Sequence, residues 1–113
     1  MLAKANRLRQ ERDFKGVAQK GKAVFSPSLS LKLIRNNSDV SRFGIIVSTK
    51  VSKKAVLRNR LKRRLREIIR LNLPQLKKGF DIMVLTRAAA KDFEYLQLKE
   101  ILEGLFRKAN LYV

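Results

Sequence analysis

The most constraining feature of this sequence is an amphipathic stretch that begins at Leu57 and is closed by Pro74. Placed at about 100° per residue, its apolar side chains fall on one arc. These are Leu57, Leu61, Leu65, Ile68 and Ile69. The pattern predicts a long helix with one buried stripe, and Pro74 ends it because proline cannot continue a helix.

The polar side of this predicted helix is almost entirely cationic. From Arg58 to Arg70 the sequence carries seven basic residues and a single acid, Glu67. Solvated helix faces usually alternate acids with bases at i, i+4, since such pairs stabilise a helix. We expect Arg63 to pair with Glu67, which leaves most of the other cations uncompensated. Arginine dominates, and its planar guanidinium binds phosphate through two hydrogen bonds, so a nucleic-acid surface is favoured over a solvated face.

The whole chain shares this imbalance of charge. It has 27 Lys and Arg against 9 Asp and Glu, a formal net charge of +18, and the charge is spread over the full length. Nucleic acid is the first candidate for a polyanionic partner, and an anionic membrane surface is the second. A length of 113 residues with 45% hydrophobic content predicts a single domain over residues 1–113.

The residue types that are missing exclude several classes of function. The sequence has no cysteine, hence no disulfide or thiolate site, and no histidine, the commonest general base near neutral pH. Asp39, Asp81 and Asp92 are scattered and lack the spacing of metal ligands. We therefore expect neither a metal site nor a catalytic residue on this chain. The sequence shows no signal peptide and no apolar run of membrane-spanning length, so we expect a cytoplasmic location.

Hydrophobic periodicity predicts the other elements. A short helix, an alternating strand, a strand rich in β-branched residues, a buried strand and a last amphipathic helix lie at residues 11–21, 28–34, 42–48, 80–86 and 93–109. The turn at residues 36–39 predicts an antiparallel hairpin between the first two strands. The order α-β-β-α-β-α, with a possible extra short strand near Val24, predicts an α+β fold. We expect a small two-layer α/β sandwich with the helices against one face of a mostly antiparallel sheet.

The segment from Arg42 to Arg70 resembles a known family. A strand of the form R-x-G-x-x-V leads into a helix with the motif RNR-x-K-R-x-x-R, and this combination is similar to the protein subunit of bacterial ribonuclease P. The segments NRLRQERDF, FDIMVLTR and LFRKANLYV strengthen the resemblance, which covers nearly the whole chain. The RNR helix motif is the specific part of this likeness.

The resemblance implies a left-handed βαβ crossover and a role as a subunit of an endoribonuclease. In this family a catalytic RNA removes the 5′ leader from precursor tRNA, and the RNA rather than the protein binds the Mg²⁺. The expected partners are that catalytic RNA and precursor tRNA, with neither DNA nor a membrane among them. The residues assigned to RNA binding are Arg58, Asn59, Arg60, Lys62, Arg63, Arg66, Lys50, Lys53 and Lys54.

Two further residues are assigned, by the same resemblance, to a leader cleft between the first helix and the sheet. Phe14 matches the family's aromatic in that helix, and Lys32 stands where relatives carry an aromatic on the first strand. Ala18 replaces a second family aromatic, so we expect leader binding to lean more on charge than on stacking. The family's V-x-K-K pattern keeps only one of its two lysines here, Lys50. We expect Lys53 and Lys54 to supply the positive charge of the missing lysine.

Two other interpretations remain open from the residues alone. A basic structural RNA-binding protein, such as a ribosomal protein, suits the charge and the small fold but leaves the RNR spacing a coincidence. A stand-alone nuclease is least favoured, because the sequence offers no evident general base and no cluster of carboxylates.

Overall fold

Three helices and four strands make up residues 2–113, which the computed structural model describes. The helices are α1 (Glu11–Lys20), α2 (Ala55–Asn72) and α3 (Tyr95–Lys108), and the strands are β1 (Lys22–Phe25), β2 (Leu29–Arg35), β3 (Arg42–Val47) and β4 (Phe80–Thr86). The α+β class and the order of elements are as predicted, and β1 is the extra short strand. The left-handedness of the β3–α2–β4 crossover stays a prediction.

Local chemistry sets the ends of the helices. α1 ends at Lys20, and the backbone N–H of the next residue, Gly21, still donates to the carbonyl of Val17. α2 ends at Asn72, two residues before Pro74. α3 begins at Tyr95 rather than near Phe93, because Glu94 and Gln97 form a capping box at its start.

The sheet has the strand order β1-β2-β4-β3. β1 and β2 are antiparallel, as are β2 and β4, whereas β3 and β4 are parallel. The predicted hairpin between β2 and β3 is wrong, because β4 lies between them and the turn at residues 36–39 carries the chain past it. β4 is buried on both of its faces, which favours a central position in the sheet.

The two faces of the sheet support two separate cores. α2 and α3 pack against the face formed by alternate residues such as Leu31, Phe43 and Val84. α1 packs against the other face, where Val17 lies with Met83 of β4. The expectation that the helices share one face is therefore wrong for α1. The reason is again β4, whose apolar side chains on both faces require cover from both sides.

The end of α2 is tied to α3 and to the C-terminal segment through Asn72. Its buried amide donates to the carbonyl of Ile68 at 2.9 Å and to Oε2 of Glu103 at 3.0 Å. Its oxygen accepts a hydrogen bond from the hydroxyl of Tyr112 at 2.8 Å. Burial raises the pKa of Tyr112, and the nearby Glu103 carboxylate adds to the rise. These contacts fix the helix that carries the basic residues.

Candidate RNA-binding surfaces

The buried stripe of α2 turns its basic side away from the sheet. The stripe is as predicted: Leu61, Leu65, Ile68 and Ile69 are each at most 2% exposed, and Leu57 is half-buried at the start of the helix. Because these residues occupy one arc of the helix, the residues between them must point outward. We call this outward side the basic face of α2, formed by Arg58, Asn59, Arg60, Lys62, Arg63 and Arg66.

The basic face of α2 combines exposed and half-buried side chains. Asn59, Arg60 and Arg63 are exposed, and the other three members are half-buried. Within residues 2–113, none of the five cations on this face forms an ion pair with a carboxylate. Cations without an intramolecular partner are available to neutralise the phosphates of a nucleic acid.

The single acid on this helix is neutralised by a different partner from the one predicted. Glu67 accepts hydrogen bonds from Nη2 of Arg70 at 2.5 Å and from Nε at 3.1 Å. The expected pair between Arg63 and Glu67 is wrong, because the guanidinium of Arg70 reaches the carboxylate in a bidentate geometry. This contact lowers the pKa of Glu67 and raises the pKa of Arg70. Arg63 is left for an external partner.

Two arginines of α2 are fixed by backbone carbonyls. Nη1 of Arg58 donates to the carbonyl of Ser52 at 2.9 Å. Nη1 of Arg64, outside the predicted set, donates to the carbonyl of Phe93 at 2.9 Å. A guanidinium has five donors, so each arginine is oriented by one bond and keeps donors for phosphate. Arg58 therefore orders the start of the helix as well as contributing charge to it.

The three predicted lysines surround the N-terminus of α2. Lys50, Lys53 and Lys54 are exposed in the segment between β3 and α2, which is anchored by the buried Val51. The first turn of α2 has no acidic residue and no side-chain cap. Its free amide N–H groups and the positive end of the helix dipole therefore add to the lysine charge. The structure places these lysines beside the basic face of α2, as an extension of it.

Phe14, the first residue predicted to form the leader cleft, lies between α1 and the sheet. Phe14 is half-buried and packs with the apolar residues under α1. Its ring lies directly on Gly44 of β3, where a Cβ atom would overlap the ring and approach Leu8. Glycine within a strand often marks such a close approach. The glycine of the R-x-G-x-x-V motif thus makes room for the cleft aromatic.

The second predicted cleft residue, Lys32, also lies beneath α1. Its Nζ donates to the carbonyl of Ala18 at 2.9 Å, in the last turn of the helix. A lysine there satisfies a free carbonyl and complements the negative end of the helix dipole. The structure therefore brings Phe14 and Lys32 to the same face of the sheet. Lys32 holds α1 in place and retains two donors.

An ion pair that the sequence analysis missed joins α1 to the sheet. Arg42 donates to both oxygens of Asp81, at 2.9 and 2.6 Å, and its Nη1 lies 3.4 Å from Oδ2 of Asp13 on α1. Asn36 supplies a further hydrogen bond to Asp81 at 2.8 Å. The pKa of Arg42 is raised, chiefly by the hydrogen bond to Asp81 and against the opposing effect of burial. In the sequence, Asp81 is an isolated acid at the start of an apolar strand, and this is the signal that could have indicated the ion pair.

The N-terminal segment adds a second group of cations that the sequence analysis left out. A depression of about 320 Å³ lies beside Arg42 and Asp13. Its basic lining consists of Lys4, Arg7, Arg9 and Arg12. The stretch RLRQER was the signal, and these residues make the surroundings of α1 strongly positive.

Five of the nine acidic residues form ion pairs with neighbouring cations. Asp13 and Asp81 contact Arg42, Glu67 contacts Arg70, Glu11 contacts Lys15, and Glu94 lies 3.9 Å from Arg64. Within residues 2–113, no three acidic side chains converge in the manner of a metal site. Across the same residues, no helix combines the length and the apolar character needed to cross a bilayer.

Comparison with known proteins decides the family. The ribonuclease P family matches this chain over residues 2–110. The chain belongs to the ribonuclease P protein family. The ribonuclease P protein component of a Pseudanabaena species is 44% identical over 112 residues, covering 98% of this chain and 97% of that protein. The ribonuclease P protein component of Clostridium botulinum is 36% identical over 110 residues, covering 96% and 98%.

Solved structures agree with this assignment. The ribonuclease P protein of Staphylococcus aureus superposes with a TM-score of 0.90 at 33% identity, covering 97% of this chain and 100% of that one. The Thermotoga maritima protein superposes with a TM-score of 0.83 at 36% identity, covering 90% and 96%. The predicted resemblance is confirmed. The chain is a protein component of ribonuclease P, the ribonucleoprotein endoribonuclease of tRNA 5′ maturation.

Proposed function

We propose that this ribonuclease P protein binds two RNAs on different sides of its sheet. The basic face of α2, with Lys50, Lys53 and Lys54, binds the catalytic RNA. The leader cleft under α1 binds the 5′ leader of precursor tRNA. The observation that carries the proposal is the cluster of cations on α2 without acidic partners, beside one acid that Arg70 neutralises.

The basic face of α2 is suited to a folded RNA backbone. Its arginines project from a helix whose apolar stripe is buried from Leu61 to Ile69, so their positions are set by the fold. Each phosphate contact releases condensed counterions, which gives affinity that depends on salt. Asn59 adds an amide that can donate and accept within the same surface.

The leader cleft is suited to a single strand. It combines the half-buried ring of Phe14 with the ammonium of Lys32 and the basic N-terminal segment. Single-stranded RNA is commonly held by such a combination of aromatic rings and a positive groove. Because α1 and α2 lie on opposite faces of the sheet, the leader and the catalytic RNA need not compete for one surface.

Neutralisation of phosphate charge explains how a protein without a catalytic residue can assist cleavage. The leader and the catalytic RNA repel each other, and a protein with a formal charge of +18 between them lowers that repulsion. We propose that the Mg²⁺ ions of the reaction are held by RNA phosphates, since five of the nine acidic side chains are already paired with arginine or lysine. We further propose that the protein works in the cytoplasm, where tRNA precursors are made.

A reconstitution at low magnesium tests the proposal. The purified protein is mixed with a bacterial ribonuclease P RNA and either precursor or mature tRNA, and cleavage and binding are followed as Mg²⁺ is lowered. We expect the protein to reduce the Mg²⁺ requirement and to tighten binding of precursor over mature tRNA. An unchanged Mg²⁺ requirement together with equal binding of the two tRNAs would refute the proposal. Cleavage by the protein without the RNA would instead indicate a stand-alone nuclease.

A further inference from the structure

Phe25, the last residue of β1, is an exposed aromatic that the leader cleft does not yet account for. Its side chain is 59% exposed, and within residues 2–113 it is the one aromatic among the exposed large apolar residues. Large aromatic side chains are usually buried or used at binding surfaces. The ring of Phe25 is not packed in the core, so the residues around the ring indicate what it binds.

Strand register places Phe25 on the α1 face of the sheet. Phe25 lies opposite Ser30, Ser30 lies opposite Leu85, and Leu85 lies opposite Ile46. Directly opposed residues share a face, so these four form one continuous row across all four strands. At about 4.8 Å between strands, the row is roughly 14 Å long. We call it the outer row.

The neighbouring row on the same face is covered by α1. It runs through Ala23, Lys32, Met83 and Gly44, two residues further along each strand. Met83 is buried, Gly44 lies under Phe14, and Lys32 is bonded to the end of α1. In the outer row Ser30 is buried, and Leu85 and Ile46 are half-buried and pack against the same apolar cluster as α1. Phe25 is therefore the exposed member of the row, at the β1 edge of the sheet.

A cation accompanies the ring at the β1 end of the outer row. The guanidinium carbon of Arg87, the residue after β4, lies 6.0 Å from the centroid of Phe25. This is the outer limit of a cation–π contact, which restricts the ring while much of it remains exposed. An aromatic ring beside an arginine can stack a base and bind the adjoining phosphate.

We propose that Phe25 and Arg87 form a stacking subsite for an unpaired base of the 5′ leader, at the β1 edge of the sheet. The base stacks on Phe25, and Arg87 binds a neighbouring phosphate. The inference rests on the function proposed above, because it assigns the leader to this face. The other end of the outer row lies at the half-buried Ile46, so the exposed ring and its cation are confined to the β1 edge.

The subsite offers a second source of stacking in a chain that has Ala18 and Lys32 in place of cleft aromatics. Leader nucleotides beyond the reach of Phe14 would then meet Phe25. Substrate preference of this protein should accordingly extend to leader nucleotides far from the cleavage site.

Equilibrium binding to the reconstituted holoenzyme tests the inference. The substrates are a precursor tRNA with a long unpaired leader, the same precursor with a one-nucleotide leader, and mature tRNA. We expect Phe25→Ala to weaken binding of the long-leader precursor by roughly 5- to 150-fold, the range for loss of one stacked base. Phe25→Trp should keep wild-type affinity, and the other two substrates should bind both variants as they bind the wild type.

A matched control removes an equally exposed apolar side chain elsewhere. Leu96 is 72% exposed and belongs to α3, which packs against the opposite face of the sheet. Leu96→Ala should bind all three substrates as the wild type does. Thermal unfolding of each variant checks that the fold is retained.

The possible results separate the inference from the proposed function. Equal affinity of Phe25→Ala and wild type for the long-leader precursor would overturn the stacking subsite and leave the proposed function standing. Equal weakening of all three substrates would also overturn it, because Phe25 would then serve the tRNA body or the catalytic RNA. A wild-type holoenzyme without preference for the long leader would refute the proposed function itself.

Discussion

At the scale of single residues, Gly16 and Gly44 have opposite structural requirements. Gly16 lies within α1 and has open space where a Cβ atom would stand. Gly44 lies within β3, directly under the ring of Phe14. The first glycine weakens a helix, since glycine is less favourable than alanine in a helix interior. The second is needed for the ring of Phe14 to pack directly on the sheet.

The two Gly→Ala substitutions should therefore change stability in opposite directions. We expect Gly16→Ala to raise the free energy of unfolding by about 0.5–1 kcal/mol. We expect Gly44→Ala to lower it by about 1–3 kcal/mol, the usual cost of overpacking. Urea denaturation measures both. In the double variant Gly44→Ala with Phe14→Leu, the smaller leucine makes room for the new methyl group, so part of the lost free energy of unfolding should be recovered. Equal stability of Gly44→Ala and wild type would show that Phe14 is not held against the sheet.

At the scale of elements, α2 acts as a rigid carrier of charge. Its stripe fixes the helix in the core, and the cations on its basic face differ in whether they are already engaged. Arg63 is exposed and unpaired among the described residues, whereas Arg70 is paired with Glu67. Only a cation without an acidic partner, such as Arg63, should contribute a phosphate contact when the protein binds RNA.

The salt dependence of RNA binding tests this distinction. Arg63→Ala should make the plot of log Kd against log salt shallower by about 0.7–0.9, which corresponds to one phosphate contact. The double variant Glu67→Ala with Arg70→Ala removes a neutralised pair and keeps the net charge, so its slope should stay at the wild-type value. Filter binding to the catalytic RNA over a series of salt concentrations measures the slopes. An unchanged slope for Arg63→Ala would assign that residue to a solvated face.

The periodicity of the sequence predicted whether each element is a helix or a strand, because burial of one side of an element requires apolar residues at a regular spacing in the sequence. The stripe of α2 and the alternation of β2 are examples. It did not predict which strands pair, since the patterns of β2 and β3 are equally compatible with a hairpin and with an intervening strand. The apolar residues on both faces of β4 held that information, and they also account for α1 lying opposite α2. At the site, the motif located the cations, while the partner of Glu67 and the exposure of Phe25 depend on three-dimensional geometry.

At the scale of the whole molecule, repulsion between the positive charges lowers the stability of the folded state. A formal charge of +18 is confined to a particle with a Cα radius of gyration of 13.0 Å. The screening length is about 10 Å at 0.1 M salt and about 30 Å at 0.01 M, so at low salt the charges repel one another across the whole molecule. Multivalent anions that bind the folded surface should relieve this repulsion, since they occupy the same cation clusters that bind phosphates of RNA.

Millimolar sulfate or phosphate should therefore raise the thermal midpoint more than chloride at equal ionic strength. An anion at ten times its Kd for one site on the folded state adds about 1.4 kcal/mol. For a domain of this size, that corresponds to a rise of roughly 4–8 °C. The rise should saturate with concentration, which separates binding from the general exclusion of sulfate at much higher concentrations. It should also diminish in a variant lacking Arg63 and Arg66, because these cations would supply part of the site. Equal thermal midpoints in sulfate and chloride would mean that the repulsion is already balanced within the protein. That result would contradict the view that the basic face of α2 requires a polyanion.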